Sequence, residues 1–147
     1  MAFEFTALRR VEFSDTDMAG IMHYSNFFRF METAEHAFFR SLGLSIVMNH
    51  REPAVGWPRV HASCDYKRPL HFEDEVEIKL LIKEKRSKAL TYLFIFSKLQ
   101  PAGKIEVARG QLTVVSVMKD ASGKMTACQI PAELAEKIEA APPESLT

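Results

Sequence analysis

Residues 25–42 read SNFFRFMETAEHAFFRSL, and their apolar positions decide the fold. Phe27, Phe30, Met31, Ala34, Phe38 and Leu42 recur at separations of three, four and seven, one stripe at helical period. The pattern predicts a helix from Ser25 to Leu42 with this stripe buried in a core. Ser25 and Asn26 are good N-capping residues, and Gly43 stands where a left-handed C-terminal residue is expected.

On either side the period changes to two. Ahead of the helix, Phe3 to Phe13 reads as a strand, followed by the small and acidic loop SDTDMAG at residues 14–20. After a loop through Pro53, Gly56 and Pro58, Val60 to Tyr66 is a short strand. Between Asp74 and Glu84, Val76, Ile78, Leu80 and Ile82 alternate with other residues, as a half-buried strand requires. Lys88 to Leu99 is apolar on both faces, with Leu90, Tyr92, Phe94 and Phe96 against Leu93 and Ile95, so it belongs inside the sheet. Pro101 to Lys104 turns the chain into a long last strand, Ile105 to Met118. Asp120 to Gly123 is a further turn, and Pro131 opens a short amphipathic helix, PAELAEKIEA. The sum is an α+β domain, one strand, one long buried helix and four mostly hairpin-connected strands, with the helix packed on one face of an antiparallel sheet. One helix covers only one sheet face, so the outer face or an edge is expected to pair with another subunit.

The 147 residues fit a single domain, residues 1–147, with 142–147 expected as a flexible polar tail. Lys plus Arg and Asp plus Glu number 19 each, so the formal charge is zero. That balance argues against nucleic acid as the main partner. Cys64 and Cys128 fit a reduced, cytoplasmic chain better than a disulfide framework. The N-terminus MAFEFTALRR lacks a signal-peptide core, and the strongest uncharged apolar run of the second half, Ala89 to Ser97, is far too short to span a bilayer. The six glycines lie at least seven positions apart, which excludes the GxGxxG, P-loop and GxSxG patterns. The five histidines lie at least ten apart, so no HExxH helix exists and no metal is implied.

The stretch RVEFSDTDMAGIMHYSNFFRFMETAEHAFFRSLG, residues 10–43, carries the chemistry. Its Glu12-Phe13, Asp15-Thr16-Asp17, Ala19-Gly20, Tyr24, Asn26 and aromatic-rich helix resemble the hot-dog-fold acyl-CoA thioesterases of the 4-hydroxybenzoyl-CoA thioesterase family. The resemblance continues more loosely to about Pro131. It implies the hot-dog fold, with an antiparallel five- to six-stranded sheet wrapped around one long central helix, homodimers that pair into homotetramers, and active sites at the subunit interface. It also implies that Asp17 matches the family's catalytic acid and that the backbone N–H of Tyr24 matches its oxyanion donor. By itself, an aspartate ahead of a helix is most often a turn or cap residue. Thioester hydrolysis, however, needs an attacking oxygen and positive potential at the carbonyl oxygen, and unpaired N–H groups at a helix N-terminus supply the second. Asp17 could attack directly or activate water, and both routes stay open.

His23 is a candidate to orient water or substrate, and equally a plain helix-entry histidine. Asp15 reads as a structural partner that holds the loop. The expected substrate-binding set is Gly20, which relieves the turn, Asn26, most simply a cap, Trp57, and the basic turn. Trp57 is a candidate wall of the acyl pocket and equally a surface or interface aromatic. In the basic turn, Lys83, Lys85, Arg86 and Lys88 offer positive charge to the phosphates of coenzyme A, with Lys83, Arg86 and Lys88 carried as site residues. Lys67 and Arg68 are a second, weaker cationic pair. No cofactor is expected, coenzyme A being part of the substrate. The sequence leaves the acyl group open between aromatic and short or medium aliphatic chains. A non-catalytic acyl-CoA- or acyl-carrier-binding module is the alternative; it has no need of the carboxylate, and the intact Asp17 argues against it.

Overall fold

A computed structural model describes residues 1–147. The stripe predicted from residues 25–42 forms a helix, α1 (Asn26–Ser41), with Phe27, Phe30, Met31, Ala34 and Phe38 buried. Five strands make one antiparallel sheet: β1 (Glu4–Arg10), β2 (Arg59–Tyr66), β3 (Glu75–Lys85), β4 (Ala89–Gln100) and β5 (Gly103–Val115). Their spatial order is β1-β3-β4-β5-β2, so β4 lies at the centre and β2 at one edge. Register puts Ile78 opposite Phe96 and Leu80 opposite Phe94, and these side chains meet the helix stripe in the core. The period of two in β3 and β4 and the period of 3.6 in α1 therefore bury one common apolar layer. This is the α+β hot-dog arrangement that the resemblance implies.

The helix approaches β5 closely at Gly110, which faces Phe94 across the ladder. A Cβ at Gly110 would lie 2.0 Å from Met31 Cε and 3.2 Å from the Ser63 carbonyl oxygen. Met31 is fully buried and has little room to yield, so this position admits only hydrogen as a side chain.

Four local expectations are corrected. Ser25 precedes α1 in helical backbone geometry and makes no side-chain capping bond; its hydroxyl is taken by His23 Nδ1 at 2.7 Å. Asn26 is the first helical residue, and its amide donates to the Asp15 carbonyl at 2.7 Å instead of capping. The long last strand ends at Val115 because buried Ser116 turns its N–H to the Lys88 carbonyl and its own carbonyl to the Cys128 N–H. Beyond it, β6 (Val117–Lys119) and β7 (Met125–Ala127) form a separate two-stranded ribbon around the Asp120–Gly123 turn. The ten-residue C-terminal helix shrinks to one turn, α2 (Ala132–Ala135). Lys85 Nζ binds the Ala135 and Ile138 carbonyls, and Ala2 pairs with Ile138, so the chain leaves helical geometry to meet these partners.

The polar C-terminal residues also reach the sheet. Ala141 N–H donates to the Ile82 carbonyl at 2.7 Å. Ala141 packs with Leu81 and Leu93 on the outer face, joined by Leu146 from a 3-10 turn, Pro143–Leu146. The chain thus covers part of the face that the sequence left to another subunit. The β2 edge stays open, with Val60, His61 and Ala62 exposed.

Because Gly110 has backbone and packed side chain on both sides, Gly110→Ala is expected to destabilise the protein by about 1–3 kcal/mol, as overpacking does. Comparison of urea midpoints at unchanged m-value checks this.

Candidate active site

The loop between β1 and α1 hangs on Asp15. A 3-10 turn, Phe13–Asp15, follows β1, and in it Asp15 Oδ2 accepts the Glu12 N–H at 2.8 Å. The Asp15 carbonyl accepts both the His23 N–H, at 2.9 Å, and the Asn26 side-chain amide. One residue therefore ties the end of β1 to the entry of α1, the holding role expected of Asp15.

Between these ties the chain folds back on itself. Asp17 N–H donates to the Ile21 carbonyl and Gly20 N–H to the Asp17 carbonyl, each at 2.9 Å. Gly20 closes the turn at φ +83°, a left-handed conformation that side chains resist. Asp17 Oδ1 accepts the Ala19 N–H at 2.8 Å, while Oδ2 has no partner in the chain. The turn thus fixes the carboxylate and leaves one oxygen free to react.

The start of α1 supplies the second element. Tyr24 N–H makes no hydrogen bond within the chain, whereas the N–H groups of His23, Ser25 and Asn26 are all engaged. The carbonyl of the same peptide unit, that of His23, accepts the Asn26 N–H at 2.9 Å. That bond polarises the unit and strengthens the free N–H as a donor. Tyr66 OH donates to the Tyr24 carbonyl at 3.0 Å, and its ring meets Phe27 edge-on at 5.0 Å.

Asp17, Tyr24, Phe27, Tyr66, Lys67 and Arg68 share one cleft of about 460 Å³. The cations in its wall are held in place: Lys67 Nζ binds the Glu106 carboxylate, and Arg68 Nη1 donates to the Glu106 carbonyl at 2.8 Å. Arg109 grips the same carboxylate with two bonds of 2.9 and 3.0 Å. These hydrogen bonds, Arg109's foremost, hold the Glu106 carboxyl down at about 2. Burial pushes the Tyr66 hydroxyl up to about 12, so it remains a donor. Burial likewise pushes the Cys64 thiol, two residues back along β2, up to about 11.

Other sequence-derived candidates lie elsewhere. His23 lines no cleft with Asp17; its ring stacks on Tyr24, and its Nδ1 accepts from the Ser25 backbone, which leaves the proton of the neutral ring on Nε2. Trp57 is buried in the core against Phe39, at a centroid distance of 5.8 Å. Phe39 sits 13 residues after Asn26, about 20 Å along α1, so Trp57 does not wall this cleft. The reason is size: a large apolar side chain in the loop before β2 gains more by joining the core. The basic turn also disperses. Lys83 binds Gln111 on the outer sheet face, Lys85 caps the carbonyls near α2, and Arg86 pairs with Glu84 at 2.7 Å. The length of β3, about 30 Å, separates Lys83, Arg86 and Lys88 from the Asp17 loop within one subunit. Tyr66, a strand-end aromatic with no sequence signal of function, and the weaker pair Lys67 and Arg68 line the cleft that Trp57 and the basic turn do not reach.

Known proteins match this chain in sequence and in fold. Residues 11–138 match the thioesterase-like superfamily. A 4-hydroxybenzoyl-CoA thioesterase from Pseudomonas sp. strain CBS-3 is 29% identical over 142 residues, spanning 92% of this chain and 98% of that protein. The crystal structure of 4-hydroxybenzoyl-CoA thioesterase mutant D17N complexed with 4-hydroxybenzoyl-CoA superposes at a TM-score of 0.82 and 27% identity, covering 92% and 98% of the two chains. A gentisyl-coenzyme A thioesterase gives a TM-score of 0.76 at 32% identity, over 89% and 99%. The relatives of this chain, in sequence and in fold, are named as thioesterases acting on coenzyme A thioesters. The chain belongs to the thioesterase-like superfamily.

The lowered pKa of Glu106 sets a pH signature. A carboxyl held near 2 in the fold, against an ordinary 4.5, stabilises the protein fully above about pH 5 and loses that contribution as pH falls toward 2. Glu106→Gln is therefore expected to be less stable than wild type at pH 6, with the gap closing toward pH 2, as urea midpoints across this range would report.

Proposed function

We propose that this chain hydrolyses the thioester of an aromatic acyl-CoA, with Asp17 as nucleophile or general base and the Tyr24 N–H as oxyanion donor. The observation that carries the reading is the pairing of an unpartnered carboxylate oxygen and an unpartnered backbone N–H in the walls of one cleft. A thioester carbonyl between them has its oxygen stabilised as negative charge develops and its carbon open to attack. In the direct route, Asp17 Oδ2 bonds to that carbon, coenzyme A leaves as thiolate and takes up a proton, and water then cleaves the mixed anhydride. In the other, Asp17 takes a proton from water as the hydroxide oxygen attacks. Either route yields the acid and free coenzyme A from the protein's own groups. Gly20 acts through the turn that aims Asp17, Asn26 through its hold on Asp15, and His23 as a helix-entry histidine.

The aromatic acyl class rests on the relatives named for 4-hydroxybenzoyl- and gentisyl-CoA. Lys67 and Arg68, in the cleft wall, are the cations offered to the phosphates of coenzyme A. Lys83, Arg86 and Lys88 would serve a site only in a partner subunit. A homodimer or homotetramer is supported by the open β2 edge, and the cytoplasm by two free thiols. No helix is long and apolar enough to cross a membrane.

Asp17→Asn keeps the shape of the turn and removes the basic oxygen. With free-thiol release from a panel of aromatic and aliphatic acyl-CoAs, it is expected to lower kcat/KM by about a hundredfold or more, with folding intact by circular dichroism. Turnover equal to wild type would remove Asp17 from the chemistry, and no turnover by either protein would leave an acyl-CoA-binding module.

A further inference from the structure

Burial does not anchor the residue that carries the free N–H. The Tyr24 side chain is exposed and stacks on the His23 ring at 4.5 Å. What fixes its backbone is a pair of carbonyls, one in each peptide unit flanking its Cα. On one side the His23 carbonyl accepts the Asn26 N–H. On the other, the Tyr24 carbonyl accepts the Phe27 N–H at 3.4 Å, a long bond, and the Tyr66 hydroxyl at 3.0 Å. Of all the hydrogen bonds made by residues 23–25, the one from Tyr66 alone reaches a strand of the sheet. The others stay within the turn into α1 or go to Asp15.

Tyr66 is itself held on both sides. It is the last residue of β2, paired with Ala108 of β5, and the next N–H, that of Lys67, donates to the Val107 carbonyl at 2.8 Å. Its ring lies edge-on to Phe27, and Phe27 lies edge-on to Phe96 of β4 at 5.2 Å. Support therefore runs from the central strand through two aromatic rings to one hydroxyl, and from that hydroxyl to the backbone of Tyr24.

We propose that Tyr66 is a positioning residue for thioester hydrolysis, its hydroxyl fixing the direction of the Tyr24 N–H. The inference rests on the thioesterase reading above. A donor already in line stabilises charge on the thioester oxygen as that charge develops, whereas a donor that swings must first be ordered. The uncharged carbonyl of the bound substrate gains far less from the same alignment. The hydroxyl thus acts on turnover and leaves binding of the substrate alone. Phenylalanine at this position keeps the ring against Phe27 and removes only the hydroxyl, so one substitution separates the two roles of the side chain.

The test compares wild type and Tyr66→Phe for hydrolysis of benzoyl-CoA and hexanoyl-CoA. It also compares inhibition by free coenzyme A with inhibition by a trifluoromethyl ketone thioether of coenzyme A, whose hydrated carbonyl mimics the tetrahedral intermediate. Tyr66→Phe is expected to lower kcat about tenfold, less than the hundredfold or more that follows loss of an oxyanion donor itself, with KM within about twofold of wild type. Inhibition by the ketone is expected to weaken about tenfold in step with kcat, and inhibition by free coenzyme A to stay within about twofold. Burial keeps the Tyr66 hydroxyl protonated up to about 12, so the loss is expected to be the same at every pH from about 6 to 9. A kcat equal to wild type, a loss shared equally by ketone and coenzyme A inhibition, or a variant that fails to fold by circular dichroism would overturn the positioning role while leaving the thioesterase standing. A wild type that hydrolyses no acyl-CoA would remove the underlying reading, and this inference with it.

Discussion

The carbonyl oxygen of Asp15 accepts two hydrogen bonds from the entry of α1, while the carboxylate of the same residue fastens back onto Glu12. Everything between, from Thr16 to Met22, is a loop with both ends fixed to one residue. A reactive carboxylate on a loop is useful only if the loop has one geometry, because misplacement by an ångström costs much of the benefit of proximity. The Asp17–Gly20 turn fixes the Asp17 carboxylate, but it hangs from Asp15, and α1 is held in the same grip. The core seals the arrangement from below: Phe27 packs on Phe96 of the central strand and on Tyr66, which in turn holds the Tyr24 carbonyl.

The organisation follows a division common to enzymes of this size. A rigid layer of helix and sheet carries the packing, and the site is assembled where the loops meet its edge. The formal charge of zero conceals a local arrangement. Glu106 draws Lys67, Arg109 and the Arg68 guanidinium into one network beside the cleft. Such a carboxylate limits the mobility of long basic side chains and reduces the ordering cost when an anion meets them.

The elements legible in the sequence were those whose periodicity follows from burial. The α1 stripe and the alternation in β3 and β4 report which side of each element faces the core, and burial dominates the energetics there. The Asp-Thr-Asp loop was legible for a different reason, its resemblance to a family. What stayed hidden depends on tertiary partners. Asn26 has the composition of a cap yet finds the Asp15 carbonyl, 11 residues away in sequence, and Ser25 finds His23. Trp57 and the basic turn carry only a signal of residue type, and type does not say how far away an element ends. Ser116 broke a strand that looked continuous because its bonds go to Lys88 and Cys128, which no local pattern announces.

The burial of Cys64 has a chemical consequence. It lies on the same face of β2 as Tyr66, close to where a thioester is proposed to be cleaved, and sulfur is by nature a better nucleophile toward thioesters than a carboxylate. With its thiol held near 11, about one molecule in ten thousand carries the thiolate at pH 7. Acyl transfer to that sulfur would only exchange one thioester for another and leave the protein acylated on itself. The partial burial of Cys64 against the core holds this side reaction down.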